Sequence, residues 1–135
     1  MSLTKEKILS VASRLIGVKG FDSVSIREIT KEVGIKESSF YNHFKSKDSL
    51  LDEIFTLIEG NLNKLKPDDE ELMEMCRKAN LEEFLKFRLD QFIQGWNKPE
   101  AKYLWYVVSQ QQYKNRKAAE LIVRESEKAI EMFTK

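Results

Sequence analysis

Between positions 36 and 47 the chain crowds together side chains that act through hydrogen bonds and charge: Lys36, Glu37, Ser38, Ser39, Tyr41, Asn42, His43 and Lys47. These types suit nucleic acid. An asparagine carboxamide pairs bidentately with adenine, small serines let a backbone approach a groove while their hydroxyls donate or accept, and lysine neutralises phosphate. Phe40 and Phe44 sit among them four residues apart, the spacing of one buried helical face. Ser38, Ser39 and Asn42 then face outward, where on any other helix they would be an ordinary solvated surface. Glu37 stays open between two readings: a carboxylate repels phosphate, and it also accepts from a cytosine amino group. His43, the only histidine, would be exposed with Tyr41, opposite the phenylalanines. A lone histidine is otherwise a packed core residue, and a metal site needs partner ligands that this chain does not offer.

These residues need two helices and a tight turn to hold them. Ser25 and Glu28 have capping-box spacing, the serine accepting from a first-turn N–H and the glutamate reaching back. Ile26, Ile29 and Val33 recur at helical spacing. Gly34 stands where the chain must leave that helix through positive φ. Ile35 packs between the helices, and Lys36 to Ser39 opens the second. The result, over about residues 26–45, is a helix-turn-helix whose second helix enters a major groove. Ser25 heads a helix whose free N–H groups suit a phosphate, and Arg27 and Lys36 are auxiliary phosphate ligands. Lys47, just past the second helix, should pair with another.

The run Val33 to Leu50, with Phe-Tyr-x-His-Phe-x-Ser-Lys starting six residues after Gly34, strongly resembles the helix-turn-helix of TetR-family transcriptional repressors. The resemblance starts near Lys7 and covers roughly the first 50 residues. It implies that Tyr41 and His43 lie against the phosphate backbone and that Lys47 is the family's loop lysine. It also implies an all-α protein, with a three-helix DNA-binding domain followed by a helical ligand-binding and dimerisation domain. Glu37 departs from the pattern, since many relatives carry a basic or neutral residue there. Family members usually continue with two more helices that pair with a second copy. A chain ending at Lys135 is expected to have an incomplete regulatory domain.

The chain has 135 residues, 41% hydrophobic and 33% charged, with a net charge of +1. That is enough for one or two small domains. Residues 1–50 hold nine Lys/Arg against six Asp/Glu, and the remainder fourteen against sixteen. A mildly basic first segment fits a phosphate-facing surface. The single cysteine, Cys76, excludes an internal disulfide and points to a reducing cytoplasm. No apolar run reaches the length of a membrane span, and no signal-peptide core is present. Gly-rich phosphate loops, Cys/His clusters and a Gly-x-Ser-x-Gly turn are missing, so enzymatic readings fail. No cofactor is expected.

The remaining elements are expected to be helical. Thr4 caps a first helix with Ile8, Ala12, Leu15 and Ile16, running to about Gly17, and Phe21 plugs the small core after it. Ser46 caps a helix from Lys47 to Leu65 that is apolar over a wide arc. Asp68 caps a short helix carrying Met73, and Asn80 caps one whose face is Leu81, Phe84, Leu85, Leu89, Phe92 and Ile93. Pro99 opens another through Val107 and Val108. Lys114 to Arg116 is a joint before a last segment whose stripe of Leu121, Ile122, Ala129, Ile130 and Phe133 is left for a partner. Boundaries are expected at 1–50 for the DNA-binding domain and 51–135 for the regulatory one.

The second segment is rich in aromatic and sulfur side chains, and the plain reading is a helical core. The sharper reading is a ligand pocket lined by Phe55, Met73, Phe84, Phe87, Trp96, Tyr103 and Tyr106, with Arg88, Gln91 and Gln110 as its polar groups. The resemblance implies such a pocket; no motif marks it. The expected protein is a regulator that binds a palindromic double-stranded DNA operator as a homodimer and is released by a small apolar or aromatic inducer. The competing reading is a helical protein-interaction module whose helix-turn-helix no longer reads DNA.

Overall fold

A computed structural model describes residues 2–64, 69–78 and 80–134. The described residues form helices throughout: α1 (Leu3–Lys19), α2 (Ile26–Val33), α3 (Glu37–Tyr41), α4 (Lys47–Lys64), α5 (Asp69–Lys78), α6 (Leu81–Trp96), α7 (Pro99–Gln111) and α8 (Arg116–Thr134).

The caps explain most of these boundaries. α1 starts two residues earlier than Thr4 predicts, because the Ser2 hydroxyl accepts from the Lys5 N–H at 3.2 Å. It also runs through Gly17 to Gly20, whose φ of 88° ends it. Gly17 is thus a helical residue, and the reason for a glycine there is packing: a Cβ at this position would lie 2.9 Å from the carbonyl oxygen of Tyr103 in α7. α2 is capped by Ser25, which accepts from Glu28 N–H at 3.1 Å. The return half of the capping box does not form, because the Glu28 carboxylate takes the Lys19 ammonium instead. Gly34 leaves α2 at φ 82°, ψ 32°, and its N–H and that of Ile35 both donate to the Thr30 carbonyl at 2.9 Å. Ser46 and Ser49 cap α4 reciprocally, each side chain accepting from the other's N–H. Asn80 caps α6 through the Glu83 N–H, Pro99 stands in the first turn of α7, and Asn115 caps the start of α8.

Among the described residues the buried apolar side chains form one cluster, which runs across the expected boundary at residue 50. α1 contributes Ile8, Leu9, Ala12, Leu15 and Ile16; α4 contributes Leu50, Leu51, Ile54, Phe55 and Ile58. α7 adds Leu104, Val107 and Val108, and α8 adds Ala118 and Leu121. The broad apolar arc of α4 is used as expected, meeting α1 on one side and α7 and α8 on the other. The most extensive packing of the molecule, however, joins α1 to α7. Gln110 of α7 donates to the Gly17 carbonyl at 2.9 Å, and Lys114 reaches Asp22 at 3.1 Å. At the other flank Arg124 of α8 pairs with Glu59 of α4 at 2.5 Å, and that bond raises the arginine above its ordinary pKa.

Three packing expectations are corrected. The residue that plugs the core after α1 is Val24, which is fully buried, while Phe21 lies at its edge. Leu81, Leu85, Leu89 and Ile93 of α6 are exposed, because among the described residues no helix lies across that stripe. In α8, Leu121 is buried against the core and Ile122 partly so, leaving Ile130 exposed. The expected Asp68 cap and Leu65 fall outside the described residues, as do the side chains of Phe92, Ala129 and Phe133.

Candidate nucleic-acid interface

Phe40 and Phe44 are both buried, with ring centroids 5.4 Å apart, and they anchor the second helix of the motif to the core. Burying an aromatic of this size contributes about 1.5–3 kcal/mol, enough to fix the rotation of so short a helix. Fixing it aims the opposite surface outward. Lys36, Glu37, Ser38, Tyr41 and Asn42 are exposed, and Ser39 is half-buried. Tyr41 is held upright by an edge-on contact with Phe40, at 5.4 Å and 87°. α3 itself ends at Tyr41; Asn42 is its C-cap, and the chain continues to Phe44 through turns in which His43 and Phe44 N–H groups donate to the Phe40 carbonyl. His43 is half-buried rather than exposed.

The flanking charges are arranged differently from their sequence reading. Glu37 faces Arg27 across the turn, with 4.0 Å between Nε and Oε1. A carboxylate there thus holds an exposed guanidinium beside the helix, an arrangement the two sequence readings of Glu37 did not include. Ser25 spends its hydroxyl on the α2 cap. Lys47 is drawn inward. Its ammonium donates to the carbonyls of Phe21 and Val24 at 2.8 and 2.9 Å and lies over the Phe21 ring at 4.3 Å. Two of its three donors are therefore satisfied within the protein. Lys45 is exposed, and it makes no ion pair among the described residues. Sequence reasoning passed over it because Lys45 and Lys47 flank the same serine and nothing local says which one turns inward.

Residues 8–54 match the family model for bacterial regulatory proteins of the tetR family. This segment is a TetR-family helix-turn-helix domain. Curated relatives support this over the same segment. A transcriptional regulator of Bacillus subtilis, YerO, is 41% identical over 73 residues, covering 53% of this chain and 25% of its own. AcrR of Shigella flexneri is 41% identical over 63 residues, covering 47% of this chain and 29% of its own. The negative regulator of a biofilm operon in Staphylococcus aureus, IcaR, is 36% identical over 61 residues, covering 45% of this chain and 33% of its own. These matches span about a quarter to a third of each relative. A regulator from Saccharomonospora viridis, solved in complex with choline, superposes with a TM-score of 0.63 at 21% identity, covering 95% of this chain and 65% of that one. That likeness concerns the all-helical fold alone.

The ligand-pocket residues are scattered. Phe55 is in the core; Met73, Phe87, Gln91 and Tyr106 are exposed; Phe84 and Arg88 are half-buried on α6, where Arg88 lies 3.4 Å from Gln91 Oε1. Gln110 is committed to Gly17, and the side chain of Trp96 lies outside the described residues. Among the described residues, a cleft of about 360 Å³ lies between α1, α4 and α7, and of the expected residues Tyr103 alone lines it.

Proposed function

We propose that this chain is a DNA-binding transcriptional regulator, a ligand-responsive repressor that docks as a homodimer on a palindromic operator in the cytoplasm. The observation that carries the reading is the outward row of Ser38, Tyr41 and Asn42 on a helix fixed from behind by buried Phe40 and Phe44. Ser38 and Asn42 address base edges; Lys36, Arg27 and Lys45 address phosphates, and Tyr41 and His43 flank the backbone. A two-fold dimer places its recognition helices about 34–36 Å apart, one turn of DNA. An apolar or aromatic inducer that changes this spacing lets only one half-site dock well, and affinity falls.

Gel shifts with promoter fragments at several salt concentrations test this reading. Sequence-selective retardation that weakens steeply with salt is the expected result. Retardation that is absent, or equal on every fragment, favours the protein-interaction module. Sedimentation with a palindrome and with its isolated half-site tests the dimer: equal affinity for both would overturn the two-fold mechanism.

A further inference from the structure

We propose that the cleft between α1, α4 and α7 is a binding site for a small organic cation with an apolar body. At about 360 Å³, the cleft falls within the range of small-ligand cavities, about 300–1,000 Å³. Its walls are mainly apolar, with Leu9 from α1, Leu57 from α4, and Pro99 and Leu104 from α7. A few polar groups converge on it: Glu6 and Ser10 from α1, Asn61 from α4 and Tyr103 from α7. That composition, an apolar body with a small polar set, is that of a ligand site.

Charge selects the ligand class. Two ionisable side chains with opposite charges line the cleft, Glu6 and Arg14. The Arg14 guanidinium is already paired with Glu32 of α2, so it offers no net charge to a ligand. Glu6 makes no ion pair among the described residues. The uncompensated charge of the lining is therefore a carboxylate, which attracts a cation, while the leucines and Pro99 receive its apolar part.

The site has a direct route to the DNA-binding helices. Tyr103 lines the cleft with its residue on one side and presses its backbone on Gly17 on the other. Arg14, which also lines the cleft, is tied to Glu32 of α2. A ligand seated there touches α1 itself. This adds a site to the proposed regulator, but binding is measured on the protein without DNA, so its failure is separate from failure of operator recognition.

The test titrates 2-phenylethylammonium into the 135-residue chain and follows amide and side-chain chemical shifts by NMR. The comparison probes are 2-phenylethanol, with the same body and no charge, and 3-phenylpropionate, of opposite charge. The expected result is millimolar binding with shifts at Ser10, Ser13, Leu57 and Tyr103. The alcohol should bind about threefold more weakly, the return from one exposed carboxylate contact, and the anion more weakly still. Glu6→Gln should bring the cation down to the level of the alcohol. Ser10→Phe, on an exposed position of α1, should fill the cleft and remove the shifts while the helical circular dichroism stays intact. Absence of shifts at these residues, equal affinity for all three probes, or unchanged binding in Ser10→Phe would each overturn the proposal.

Discussion

The ammonium of Lys47 donates to the Phe21 carbonyl at 2.8 Å and lies 4.3 Å from the centre of the same residue's ring. With a second bond to the Val24 carbonyl at 2.9 Å, this one side chain fastens the start of α4 to the turn between α1 and α2. Lys47 therefore sets how the long helix leaves the DNA-binding helices, and its first duty is internal.

The corresponding prediction concerns Lys47→Met, which keeps an apolar stem against Phe21 and loses both bonds. Hydrogen bonds from charged donors contribute about 1.5–3 kcal/mol when desolvated; Lys47 is only half-buried, so the loss should total about 1–2 kcal/mol. Thermal melting should show a fall of several degrees, with the salt slope of DNA binding nearly unchanged. A normal melting temperature with a slope reduced by about 1 would return Lys47 to the phosphate.

Lys45 should behave in the opposite way. Lys45→Gln removes an exposed charge and should reduce the salt slope by about 1 on every DNA sequence alike. Its melting temperature should match the parent. A slope equal to that of the parent would show that Lys45 stays clear of the backbone.

Gly34→Val tests the turn. No atom lies within 4 Å of where a Cβ would go, so the cost comes from φ of 82° alone. A left-handed conformation costs an L-residue about 1–2 kcal/mol, and more when it is β-branched. Denaturant unfolding should register that loss. Lost DNA binding at undiminished stability would contradict the left-handed turn.

Gly17→Ala tests the α1–α7 contact. Helix propensity alone would favour alanine by about 1 kcal/mol. Its methyl group would meet a backbone oxygen at 2.9 Å, and backbone cannot rotate aside, so overpacking of about 1–3 kcal/mol should win. The expected readout is a net fall in melting temperature, with new chemical shifts around Tyr103 and Gln110. A stabilised variant would mean that α7 does not press on α1.

Local chemistry was legible in the sequence by itself. Ser25, Gly34, Asn80 and Pro99 each mark a boundary because a cap, a positive φ or a missing N–H is decided within four residues of chain. The spacing of Phe40 and Phe44 likewise determined which side of α3 is buried, and with it the outward row of Ser38 and Asn42. Tertiary structure decided what depends on which faces meet. Gly17 looked like a helix end and is a packing contact, because Tyr103 lies 86 positions away in sequence and against it in space. The Leu81 and Leu89 stripe has helical spacing and stays exposed, since amphipathicity shows that a face is apolar and not that a neighbour covers it. Lys45 and Lys47 are the same residue type on either side of one serine; only the positions of the Phe21 and Val24 carbonyls turn one inward and leave the other to solvent.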